Sequence, residues 1–249
     1  YYTSAPLIIG LILLAHKSGA FYKYTFMEQQ LLNILDTDAQ KRASATDAIE
    51  AQCEADALAA FRELRAVLLS PQSSARAVEL AGMVLHKSVL SKQPRFEKLP
   101  AGELTALVLE LLQLVSTAQS ASPAFLRRAA EICVEVGVKG GGAAELARRL
   151  DALWATAQSD KLRGFALYCA ELIAEFADEQ TRPAVLPLLE AGLASADAEL
   201  RVSAASALAL LLSGTSDAKT LQGYAGAVER LLGVVVEAVK GGDEARGLK

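Results

Sequence analysis

One short pattern recurs along this chain and constrains it more than any other feature. An Arg near the start of a helical stretch is followed by Ala at a helical spacing and then by an aliphatic residue. It occurs as Arg42-Ala43-Ser44-Ala45, Arg127-Arg128-Ala129-Ala130, Arg163-Gly164-Phe165-Ala166 and Arg201-Val202-Ser203-Ala204, with Arg76 as a looser copy. The steps between these arginines are 34, 51, 36 and 38 residues. Such periods suit units of two helices, neither of which can bury its apolar face without the next unit. The long step coincides with the Pro-bearing stretch Lys92 to Gly102, which reads as an insertion between repeats.

The stretches between breaks are helical. In residues 161–178, Leu162, Phe165, Ala166, Cys169, Leu172, Ile173 and Phe176 share one face, while Lys161, Tyr168, Glu171, Glu175 and Asp178 share the other. That is the stripe a helix needs to pack along one side, and no run of period two argues for a strand. Ser, Thr, Asp, Gly and Pro mark the breaks, where they cap or end helices. Helices are expected over 27–36, 38–53, 55–69, 73–91, 102–118, 123–137, 143–157, 160–177, 183–194, 198–213 and 217–240. That makes five antiparallel pairs and the start of a sixth. Hydrophobic residues reach 52% but aromatics only 6%, so Ala, Leu and Val must build a closely packed all-α core.

Several functions are disfavoured. A net charge of −4 with interspersed cations offers no basic surface for phosphates, so no direct nucleic-acid ligand is expected. Cys53, Cys133 and Cys169 are far apart among apolar residues and read as reduced core thiols rather than as a disulfide framework or metal site. Only two histidines are present; His16 lies in the leader, and His86 has no nucleophile beside it. The run Gly140 to Gly142 lacks the ending of a phosphate loop, and Trp154, spaced helically with Leu150 and Leu153, reads as core. No catalytic residue, cofactor or metal is expected.

Residues 1–26 do not share the repeat pattern of the remaining chain. Their apolar run, Ala5 to Ala15, is shorter than the roughly 20 residues of a membrane span, and no Lys or Arg precedes it as in a secretory signal. The reading is a leader of doubtful nativeness with Met27 as the start, the alternative being a cleaved or anchoring segment. The solenoid is expected over 27–249, truncated where Asp243-Glu244-Ala245-Arg246 opens a further helix.

Residues 185–209 carry a proline in the first helix, Asp at the turn, and Arg, spaced Ala and Leu in the second, at Pro187, Asp197, Arg201, Ala204 and Leu208, with Leu200 before the Arg. This resembles the HEAT repeat, which implies an α-solenoid with an Asp–Arg ladder between repeats and a bent first helix. The opening stretch, with Leu31, Leu32, Leu35, Arg42, Ala45, Arg76, Ala81, Leu85 and Lys87, resembles the amino terminus of importin-β (karyopherin-β) nuclear transport receptors, nearest to the importin-4/importin-5 type. The high Ala content and Glu79 depart from that pattern.

The resemblance implies that second helices line a concave wall. The candidate partner-binding residues there are Asp47, Arg76, Glu79, His86, Lys87, Arg128, Glu131 and Glu135, with Lys161 and Glu171 further along. Mixed charge suits a protein partner. The implied partners are a Ran-type small GTPase in its GTP form, import cargo and nucleoporins, and the implied location is cytoplasm and nucleus. A HEAT scaffold without Ran dependence is the alternative.

Overall fold

The protein is described by a computed structural model over residues 26–117, 121–214 and 222–240. The leader before Phe26, the start of the last expected helix and the stretch Asp243–Arg246 lie outside these residues. Every regular element among them is helical: α1 (Phe26–Ile34), α2 (Ala39–Ala55), α3 (Ala57–Leu69), α4 (Ala75–Val84), α5 (Gln93–Phe96), α6 (Ala101–Thr117), α7 (Pro123–Lys139), α8 (Ala143–Thr156), α9 (Asp160–Ala174), α10 (Arg182–Leu193), α11 (Ala198–Ser213) and α12 (Ala225–Lys240). Packing runs within pairs and between successive pairs. One layer holds the first helices α1, α3, α6, α8, α10 and α12, and the other holds the second helices α2, α4, α7, α9 and α11. The architecture is the expected all-α solenoid.

The second helices begin alike. Asp38, Ser74, Ser122, Ser159 and Asp197 are their N-caps, each accepting from a backbone N–H in the first turn, which satisfies a donor that the helix cannot. Seven residues after each cap stands an alanine, and Ala45, Ala81, Ala129, Ala166 and Ala204 are all at most 1% exposed. Side chains this small leave room for a neighbouring helix to approach. A Cβ added at Gly192 of α10 would lie 2.7 Å from the Ala204 Cβ and 2.9 Å from Leu167 Cδ2, so the seam between α10, α11 and α9 has no room for another methyl.

Four residues after the cap, pairs one, four and five carry an arginine that folds back on the preceding turn. Arg42 Nη1 donates to the carbonyls of Asp36 (2.9 Å) and Thr37 (2.7 Å). Arg201 Nη1 donates to Ser195 (3.0 Å) and Ala196 (2.9 Å), and Arg163 Nη2 to Ala157 (3.3 Å). These carbonyls follow the end of the first helix and have no helical donor. Arg76 and Arg127 are therefore not copies of the same position: Val78 and Leu126 stand there instead, Arg76 is exposed, and Arg127 lies over the Tyr168 ring at 5.9 Å. Asp197 and Arg201 close one turn rather than forming a ladder between repeats, although Arg201 Nη2 also reaches Glu237 of α12 at 3.5 Å. Pro187 sits on the exposed side of α10, where a missing N–H costs least.

Other expectations change in detail. The single helix expected over 73–91 is α4 running into a π-helical stretch, Leu85–Leu90, and the supposed insertion contains α5. Phe176 falls beyond the end of α9 and is 64% exposed. Trp154 lies at the edge of the core, with the Arg163 guanidinium 5.7 Å from its ring. The three cysteines are free and buried, and burial pushes the Cys53 thiol up to about 11 and that of Cys133 up to about 12, which leaves them unreactive near neutrality.

Candidate protein interface

The second-helix layer is organised around the π-helical stretch Leu85–Leu90, which has α2 on one side and α7 on the other. Toward α2, the Ser88 hydroxyl donates to the Glu50 carboxylate. Arg95 of α5 lies across the same carboxylate, with Nη1 2.9 Å from Glu50 and Nη2 2.7 Å from Glu54. Toward α7, His86 has Nδ1 3.6 Å from Glu131 and Nε2 3.7 Å from Glu135. Arg128 pairs with Glu131 and stands 3.3 Å from His86 Nδ1. Lys139 donates to Glu135 and to the Leu90 carbonyl, both at 2.8 Å, and lies 5.5 Å from the Phe96 ring. Two polar clusters, one on each side of the π-helical stretch, thus tie the second helices of pairs one, two and three together.

Burial and charge set the electrostatics. Burial lowers the His86 imidazole below its usual value and Arg128 adds to this, against the opposing pull of Glu131 and Glu135. The Glu50 carboxyl is held below its usual range, because the bonds from Ser88 and Arg95 outweigh the burial that would raise it.

The candidate residues divide into two groups. Glu79, His86, Arg128, Glu131 and Glu135 are half-buried along the α4–α7 seam, where Glu79 accepts from the Ser122 hydroxyl at 2.8 Å. Their charges serve the packing of one repeat on the next. Asp47, Arg76 and Lys87 are exposed and make no ion pair among the described residues. Further along, Lys161 donates to the Ala121 carbonyl and Glu171 accepts from Ser206 at 3.4 Å. Glu50, Ser88, Arg95 and Lys139 escaped the sequence reading, because the partners that join them to other helices lie some forty residues away and meet them only when repeats stack.

Among the described residues no helix is long and apolar enough to cross a membrane, and no group of three or more His, Cys, Asp or Glu side chains could hold a metal ion.

No family model and no curated protein matches the chain. Solved structures do match. Yeast importin-β (Kap95p) superposes with a TM-score of 0.69 at 19% identity, over 86% of this chain and 26% of that one. The fold is that of an importin-β-like HEAT solenoid. Kap95p in a study of its binding to RanGDP gives a TM-score of 0.70 at 19% identity over the same shares. Kap121p gives 0.69 at 14% identity, over 88% of this chain and 21% of that one. The chain thus spans about a quarter of the length of these importin-β-like structures.

Proposed function

We propose that this chain is the repeat segment of a nuclear transport receptor whose second-helix layer in pairs one to three contacts a Ran-type GTPase in its GTP form. The single observation that carries this reading is the superposition, over 86% of the chain, on the Kap95p whose binding drives RanGDP switch loops toward the GTP-bound conformation. A Kap95:Nup1 complex also superposes, with a TM-score of 0.67, which supports nucleoporins as partners and a receptor that moves between cytoplasm and nucleus. Import cargo completes the proposed partner set. The opening helices favour the importin-4/importin-5 type on their resemblance alone.

Within the wall, Asp47, Arg76 and Lys87 are the residues with charge to offer a partner, while the half-buried group holds the wall in shape. Complementary charge of this kind sets partner choice more than affinity. One observation favours a scaffold without Ran dependence: Glu131 and Glu135 are engaged by His86 of the neighbouring repeat and by Arg128 and Lys139 of their own helix, so their charge is already answered within the array. Capture by Ran locked in its GTP and GDP forms separates the two readings. Preference for the GTP form supports the receptor, and equal or no capture of both forms supports the scaffold.

A further inference from the structure

Between α1, α2 and the end of α4 the second-helix layer opens into a notch of about 170 Å³. Ile34, Ile49, Met83 and Val84 form its apolar lining, and Lys87 stands at its mouth. The polar groups that also line it are already engaged, since the Thr46 hydroxyl donates to the Arg42 carbonyl, Ser88 donates to Glu50 and Glu50 is paired with Arg95. Lys87 is therefore the charge at the mouth that remains available, being exposed and without an ion pair among the described residues. Arg76, Met83 and Lys87 succeed one another at spacings of seven and four residues, which places them on one stripe of a helix. Lys87 thus borders an apolar opening whose volume is comparable to the roughly 150 Å³ cavities that accept a benzene-sized group, and Arg76, likewise exposed, lies on the same stripe toward the start of α4.

We propose that this notch receives one apolar side chain of a partner protein, with acidic residues of the same segment resting on Lys87 and Arg76. This rests on the reading of the second-helix layer as a protein interface and names the chemistry of the segment it takes. The charge pattern decides the occupant: a basic segment would face Lys87 and Arg76 with like charge, and a purely apolar one would leave both unanswered. Asp47, on the α2 rim, repels acid from that side, so the carboxylates run along α4.

The chain offers its own reporter, for it contains only two methionines. Met83 lines the notch, whereas Met27 is fully buried in α1 and serves as an internal control. The full chain, carrying ¹³C-labelled methionine methyls, is titrated with a peptide of one leucine flanked by acidic residues. A leucine-to-serine form and a charge-reversed form serve as comparisons. The expected result is a shift of the Met83 signal with the acidic leucine peptide alone, with Met27 unmoved. Lys87→Glu should weaken that binding at least tenfold. A silent Met83, an equal response to the serine or basic peptide, or unchanged affinity in Lys87→Glu overturns the proposal. So does a Met83 shift driven by protein concentration alone, which would assign the notch to a second copy of the chain. Ran-GTP capture, measured on the same samples, keeps the two readings apart. Peptide binding without Ran-GTP capture leaves the notch standing and removes the receptor reading; Ran-GTP capture with Met83 silent does the reverse.

Discussion

Arg95 Nη1 lies 2.9 Å from the Glu50 carboxylate, joining the short helix α5 to the second helix of the first pair across more than forty residues of chain. The same guanidinium is 2.7 Å from Glu54, and the next residue, Phe96, is buried beneath Lys139 of α7. A segment that read as an insertion between repeats is thus a staple holding three of them.

Arg95→Met should therefore lower stability by about 1 kcal/mol at low salt, since it leaves Glu50 without its charged partner while both groups retain some solvent. Urea unfolding checks this. The loss should shrink in high salt and be smaller in Arg95→Met with Glu50→Gln than in Arg95→Met alone. A midpoint identical to the parent's would remove the staple from the account.

Acid should loosen the α4–α7 seam through His86. Its folded imidazole is held below the usual value, so the unfolded chain takes up the proton first as pH falls. The resulting stabilisation is complete above the unfolded value and disappears as pH drops through the folded one, which places the loss below the ordinary imidazole value of about 6.5. His86→Gln should flatten the stability profile across that window. An unchanged slope would show that another group governs it.

The two arginine classes should differ on substitution. Arg201→Met removes two hydrogen bonds to carbonyls after α10 and should cost about 1–2 kcal/mol. Arg76→Met, at an exposed position outside that pattern, should stay within about 0.5 kcal/mol of the parent. Equal costs measured by thermal unfolding would contradict the alignment on the caps.

Two glycine substitutions probe the packing between pairs. Gly192→Ala would bring its Cβ to 2.7 Å from that of Ala204 and should destabilise by about 1–3 kcal/mol. At Gly164, within α9, an added Cβ would meet only Leu200 Cδ2 at 3.8 Å, so Gly164→Ala should gain about 0.5–1 kcal/mol from helix propensity. A stabilising Gly192→Ala would mean that α10 does not seat as closely as described.

Local chemistry in the sequence carried much of the fold. The caps Asp38, Ser122, Ser159 and Asp197, and the buried Ala and aliphatic positions after them, are signals within one helix and can be read there. What could not be read depends on stacking. Glu50 with Arg95, His86 with Glu131 and Glu79 with Ser122 lie some forty residues apart, and no local pattern distinguishes them from solvated charges. The candidate wall was legible as a set of second-helix residues, but not its division into a half-buried seam and an exposed rim of Asp47, Arg76 and Lys87. The π-helical stretch was hidden for a related reason, because Leu85, Val89 and Leu90 keep the apolar spacing of an ordinary helix.

Reversing Glu79, Glu131 and Glu135 together would break the seam itself, so it cannot separate binding from folding. Arg76→Glu with Lys87→Glu can, because both side chains are exposed. The most direct measurement is calorimetric titration of the full chain and of this double variant with Ran loaded with a non-hydrolysable GTP analogue or with GDP, at matched circular dichroism. The account predicts that the parent binds the GTP-analogue form in preference to the GDP form and that the double variant loses at least tenfold in affinity. Equal affinity of the parent for both forms, or a double variant that binds like the parent, would contradict it.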